Sequence, residues 1–299
     1  MSKKSSDDAG KKTTSPRLGL ALSGGATRGI AHVGAIKALQ DNGIQIDFLS
    51  GTSIGALVAA LYAFGIPIAD IHRQALEMSW LKISSFKISK SALLSNKIIG
   101  DIIEDFLKDA NIEDAPIPLA IVTTDIARGE KVVLRSGNVS RAIMASTSIP
   151  GIFAPIKIDG RLLVDGFLVE NVPLSPLREM GADVTVGINL ASLKEYREPG
   201  GIINIIMNAF DIAIDANISL SRREADVLIS PKLSETSLSN ATYSSDLYDE
   251  GYKTTLLAIT KIQDAIENKR KTARQSLWER LRAFFSSKTG HIKKKRPSR

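Results

Sequence analysis

The sequence predicts an α/β fold, a three-layer α/β/α sandwich around a central, mostly parallel sheet. Three observations lead there. Short apolar strand candidates alternate with amphipathic helix candidates along most of the chain, the pattern of a sheet covered by helices on both faces. Two glycine-containing segments, Ser23–Gly29 and Gly51–Gly55, each join an apolar strand to a helix. The 299 residues, 43% hydrophobic and 24% charged, are ordinary for a soluble globular protein and ample for one core.

Taken in order, residues 1–16 form a polar tail expected to be disordered. Arg17 to Leu22 reads as the first buried strand. After Ser23–Gly29 comes a helix with Ile30, Val33, Ile36 and Leu39 on one face, ending near Gly43. Ile46 to Leu49 is the second strand. The small-residue helix behind it is closed by Gly65 and Pro67, and another runs from Pro67 to Met78. Residues 80–96 lack strong periodicity and are expected to be a loop, with a lid or insertion as the alternative. Ser95 is placed to cap a helix through Leu107. Pro118–Thr124 and Lys131–Leu134 are strands turning at Arg128-Gly129, and a short helix spans Val139–Thr147. Asp159-Gly160 turns a hairpin between Pro155–Ile158 and Arg161–Val164. Then come a helix at Leu174–Met180, a strand at Asp183–Asn189, a helix at Gly201–Arg223, a strand at Val227–Ser230 and a helix at Ser245–Asn268. Residues 17–268 are thus expected to form one domain, followed by a basic amphipathic tail, 269–299.

Composition narrows the chemistry. There are no cysteines, which excludes thiolate chemistry and fits a reducing, cytoplasmic setting. The three histidines, His32, His72 and His291, show no metal-ligand spacing, so neither a metal nor another cofactor is expected. The net charge of +7 sits in the tails, +3 in residues 1–17 and +11 in 269–299, leaving the body between them at −7. An acidic body disfavours a nucleic-acid-binding domain. No apolar run is long enough for a transmembrane helix, and the first residues lack the apolar region of a secretory signal.

Gly51-Thr52-Ser53-Ile54-Gly55 is a G-x-S-x-G nucleophile elbow in its strand–turn–helix context. The bland alternative is a serine that N-caps an ordinary helix. A nucleophilic serine needs an oxyanion hole and a base. Ser23–Gly29 offers the hole: at a helix N-terminus the N–H groups of Gly24, Gly25 and Ala26 lack intrahelical partners, and Arg28 fixes the loop or adds positive charge. Its glycine spacing matches neither a dinucleotide fingerprint nor a Walker loop. The base is harder to find. His72 lies mid-helix and His291 in the basic tail; His32 is near the loop, but a packing role is the commoner one for such a residue. Asp165, ending an apolar strand before Gly166, can serve if burial raises its pKa toward neutrality.

Together these segments resemble the patatin-like phospholipase family across residues 17–268. Ser23–Gly29 resembles its oxyanion loop and Gly51–Gly55 its elbow. Ala145–Pro155 is similar to the segment before the catalytic aspartate, and Asp165-Gly166 with Asn171-Val172-Pro173 is similar to the aspartate motif. The resemblance implies a Ser53–Asp165 dyad without histidine, hydrolysing phospholipid or lysophospholipid esters through an acyl-enzyme. Two positions depart from the family pattern. Ser23 stands where a glycine is usual, and Phe167 stands where glycine or alanine is usual. The Phe167 ring is expected to narrow the pocket or displace Asp165. It leaves open a second function class, a non-catalytic binding or regulatory protein of the same fold at the membrane surface.

In the tail, Leu277, Trp278, Leu281, Phe284 and Phe285 share one helical face among arginines, ahead of Lys293-Lys294-Lys295-Arg296. An interfacial helix with a polybasic patch predicts that residues 272–299 attach to an anionic membrane, here the inner face of the cytoplasmic membrane. The alternative is packing of that face on the protein's own body.

Overall fold

A computed structural model describes residues 15–85, 97–191, 198–233 and 241–289. Eight strands form one sheet: β1 (Leu18–Leu22), β2 (Phe48–Thr52), β3 (Leu119–Asp125), β4 (Glu130–Leu134), β5 (Ile156–Ile158), β6 (Arg161–Asp165), β7 (Val184–Ile188) and β8 (Val227–Ile229). Their order is β5-β6-β3-β2-β1-β7-β8, with β4 also paired to β3. Strands β3, β2, β1, β7 and β8 run parallel, while β4, β5 and β6 add antiparallel pairings at one end. The α-helices are α1 (Ile30–Asp41), α2 (Ile54–Ala63), α3 (Ile68–Ser85), α4 (Lys97–Leu107), α5 (Val139–Ser146), α6 (Ser175–Met180), α7 (Ile202–Glu224) and α8 (Ala241–Thr289).

Alternation along β1 divides the interior. Leu18, Leu20 and Leu22 point into the large core shared with α1, α2, α3, α4, α5 and α8. Ala21 points the other way, into a smaller cluster of Phe48, Val172, Leu174, Leu177 and Ala182. Helices flank the sheet on both faces, as predicted, but unequally: the second core is closed by the short α6 and the segment before it.

Three boundaries differ from the sequence expectation. Strand β2 starts and ends later than Ile46–Leu49, because parallel pairing on both edges carries it into the glycine motif: Leu22 faces Gly51 and Thr52 faces Val122. Helix α3 continues past Met78 to Ser85, absorbing the start of the aperiodic stretch; residues 86–96, with Ser95, lie outside the described residues. Helix α8 does not end near Asn268 but runs unbroken to Thr289, since no glycine or proline interrupts residues 252–289. The polar residues 1–14 and Lys293–Arg296 also fall outside the described residues. Among those described, no helix is long and apolar enough to cross a membrane.

Helices α1 and α8 meet backbone to backbone. A Cβ at Gly34 would lie 2.0 Å from the carbonyl oxygen of Tyr248, and one at Gly251 would lie 2.1 Å from that of Ala31. Neither oxygen can move without its helix. Gly34→Ala is therefore expected to destabilise the fold by ~1–3 kcal/mol, despite the helix propensity gained, as overpacking does. Urea unfolding measures this; an unchanged midpoint would mean the two helices are not packed this closely.

Candidate active site

The site exists because two strands end against each other. Strand β3 carries β4 along one edge at residues 121–125, so its other edge is shared: β2 pairs with residues 119–122 and β6 with 123–125. Since β2 is parallel to β3 and β6 antiparallel, their C-terminal ends converge. Thr52 is registered on Val122 and Asp165 on the next residue, Thr123. Ser53, one residue beyond β2, is thereby set beside the last residue of β6.

Ser53 occupies a left-handed conformation, φ 55° and ψ −126°, that a residue with a Cβ adopts only under constraint. The constraint is close packing of the elbow. A Cβ at Gly55 would lie 2.2 Å from the carbonyl oxygen of Leu22, and one at Gly51 would lie 2.4 Å from Cα of Ala56. The Ser53 side chain makes no capping bond to α2, so the helix-cap alternative fails. Instead its hydroxyl donates to Oδ2 of Asp165 at 2.7 Å, in a buried contact. The Ser53 N–H donates to Oγ of Ser146 at 2.9 Å, and that hydroxyl donates to the Val122 carbonyl at 2.7 Å. Ser146 thus ties the elbow to β3. It stands within Ala145–Pro155, where a small hydroxyl residue at a helix end is the only sequence signal of this role.

Asp165 is fully buried, and its second oxygen accepts the Phe167 N–H at 3.1 Å. Burial dominates over these hydrogen bonds and pushes its carboxyl up to about 7, the region a base needs to work near neutrality. The Phe167 ring does not displace Asp165. It forms a wall of the pocket, edge-on to Phe210 of α7 with centroids 5.2 Å apart.

The glycine loop closes the site from the β1 side, in part as expected. Gly24, Gly25, Ala26 and Arg28 line the same pocket as Ser53 and Asp165. The expectation that Gly24 is an oxyanion donor is corrected: its N–H is turned to Asn171, 3.1 Å from Oδ1 and 3.3 Å from the carbonyl oxygen. The N–H groups of Gly25 and Ala26 have no acceptor among the described residues. Arg28 reaches the Gly25 carbonyl through Nε at 3.4 Å. Ser23, the departure at the loop entrance, is a rivet: its hydroxyl accepts the Leu190 N–H at 2.9 Å and donates to the Gly24 carbonyl at 2.8 Å. Asn171 and Ser23 are loop-fixing residues whose roles depend on contacts distant in sequence.

His32 is not part of the constellation. It is buried with Nε2 2.8 Å from the Ser23 carbonyl, which can only accept, so Nε2 carries the proton. Burial lowers its pKa to about 4, keeping it neutral as a brace beneath the loop. The pocket is a cavity of about 130 Å³ whose remaining walls include Ile149, Ala191 and Ile214. A bonded serine–carboxylate pair, free N–H groups and an apolar wall suit nucleophilic attack on an acyl group.

Comparisons with known proteins show what the chain is similar to. Residues 20–178 match the family model described as patatin-like phospholipase. An uncharacterized NTE family protein of Mycobacterium bovis is 36% identical over 180 residues, covering 60% of this chain and 50% of that protein. The lysophospholipase NTE1 of Yarrowia lipolytica is 33% identical over 184 residues, 60% of this chain and 13% of the relative. The chain therefore spans half or less of the length of these relatives. Among solved structures, VipD from Legionella pneumophila superposes with a TM-score of 0.51 at 16% identity, over 83% of this chain and 67% of that one, a likeness of fold.

The raised pKa of Asp165 carries a stability consequence. Between its unfolded value near 3.8 and about 7, the folded state holds a proton the unfolded state has lost, so stability falls as pH rises through this window. Asp165→Asn removes the buried charge and keeps an acceptor for the Phe167 N–H. The variant should melt higher than the parent at pH 8, by up to ~4 kcal/mol at about 1.4 per unit, with the gain vanishing by pH 4. Thermal melts at the two pH values check this; an equal gain at both would place the effect elsewhere.

Proposed function

Because the chain belongs to the patatin-like phospholipase family, we propose that it is a serine acyl hydrolase cleaving carboxylic esters of phospholipids or lysophospholipids through a Ser53–Asp165 dyad. The observation that carries this reading is the buried 2.7 Å hydrogen bond between the hydroxyl of a strained serine and a carboxylate of raised pKa, with no histidine at hand among the described residues.

Asp165 takes the Ser53 proton as Oγ attacks the ester carbonyl. The negative charge that develops on the carbonyl oxygen is met by the N–H groups of Gly25 and Ala26, each worth ~3 kcal/mol when well placed. The positive end of the α2 dipole stabilises the same region. Collapse of the tetrahedral intermediate breaks the ester C–O bond; Asp165 returns its proton to the departing alkoxide and leaves Ser53 acylated. Water, deprotonated by Asp165, then attacks the acyl-enzyme and releases the fatty acid.

The lysophospholipase name of the Yarrowia lipolytica relative supports a lipid substrate. Attachment to anionic membrane on the cytoplasmic side is assigned to residues 272–299. Trp278, 66% exposed on α8, supports this because its ring is not packed on the body.

Ser53→Ala should abolish hydrolysis of short-chain nitrophenyl esters and lysophospholipids, and labelling by fluorophosphonates, with the fold intact by circular dichroism; residual turnover would sink the dyad. For the parent enzyme, Asp165 must be ionised to act. The value of kcat/KM should therefore fall about tenfold per pH unit below about 7 and level off above it. A profile flat down to pH 5 would point to a base other than Asp165.

A further inference from the structure

Helix α7 is apolar on two opposite faces. Phe210, Ile214, Ile218 and Ser221 follow a spacing of four, four and three and turn inward, the first two onto the pocket. Ile202, Ile205, Ala209 and Ile212 recur at three, four and three on the other side, the three isoleucines 70%, 50% and 57% exposed. An apolar helix face is ordinarily buried, and here the outer one stands in solvent, with Asn204, Asn208, Asp211 and Asp215 forming the polar stripe between the two apolar faces. Between Ile202 and Ile214 the helix carries one charged residue, Asp211, which lines the pocket rather than the outer face.

We infer that the outer face of α7 is a docking surface for the hydrocarbon layer of a lipid surface, on the helix whose opposite face lines the active-site pocket; this rests on the lipid-ester reading above. Two observations choose this occupant. From Ile202 to Ile212 the exposed face carries no charge, the first along it being Arg223 near the helix end, and a hydrocarbon layer asks for none over that stretch. The cavity of about 130 Å³ is close to the size that takes one benzene ring, so it holds an ester and a few carbons. The rest of an acyl chain must stay in apolar surroundings outside, and α7 is the wall that faces both. Docked isoleucines would hold the pocket mouth against the layer from which the chain is drawn.

The test uses the full chain carrying Ile205→Glu and Ile212→Glu, neither of which lines the pocket. Phosphatidylcholine vesicles in ~0.5 M salt serve as the probe, because zwitterionic lipid and high ionic strength suppress attachment through the basic tail. Co-sedimentation and hydrolysis of vesicle lipid are expected to fall at least about tenfold relative to the parent. Hydrolysis of a water-soluble nitrophenyl ester should stay within about twofold, which also shows that the variant is folded. Undiminished vesicle binding by the double variant would overturn the inference. So would sedimentation showing a parent dimer that the substitutions convert to monomer, since the face would then belong to a second copy. If the parent hydrolyses neither substrate yet loses vesicle binding on substitution, the docking surface stands and the hydrolase reading fails.

Discussion

A buried carboxyl group, one hydrogen bond from a serine in a left-handed turn, is costly in two ways: the charge is desolvated and the backbone is strained. Everything around the site is arranged to keep both in place. Strands β2 and β6 share one edge of β3, so the two residues are registered on consecutive positions of a third strand and cannot drift apart without breaking the sheet. Ser146 bonds the elbow amide to β3, and the glycines of the elbow let Leu22 and Ala56 close on it.

The same economy governs the glycine loop. Ser23 is fixed by β7's exit at Leu190, His32 supports its carbonyl from below, and Asn171 takes the Gly24 amide. These bonds leave the next two amides open at the pocket. The lowered pKa of His32 and the raised pKa of Asp165 follow from one cause: the polar groups of this region lie inside the core, where desolvation outweighs local hydrogen bonds. A histidine three residues into α1 was a conceivable base by sequence. Burial against a carbonyl makes it a structural donor instead.

Against this rigid centre, α7 sets Phe210 on Phe167 and its pocket-lining residues on the site, with Ile218 and Ser221 buried farther along. Phe167, the bulky departure from the family pattern, thus connects the centre to its wall: its N–H orients Asp165 while its ring meets α7. The division between a fixed dyad and a two-faced apolar helix beside it is what the fold adds to the chemistry.

Much of this was legible in the chain. Alternating apolar strands and amphipathic helices determined the α/β class, because a sheet strand buried on both faces must be apolar throughout and its covering helices apolar on one side. The elbow, the glycine loop and the aspartate strand could be read from residues, since tight turns restrict side-chain choice locally. Helix ends were less legible: α8 overran its predicted end because no glycine or proline stands between Tyr252 and Thr289 to interrupt it. What only the tertiary structure decided were relations between distant residues. These are the strand register that sets Ser53 against Asp165 across 112 positions, the loss of the Gly24 amide to Asn171, and the hidden work of Ser146 and Ser23. Sequence specifies which groups can donate, accept or attack; strand register on β3 decides which of them meet.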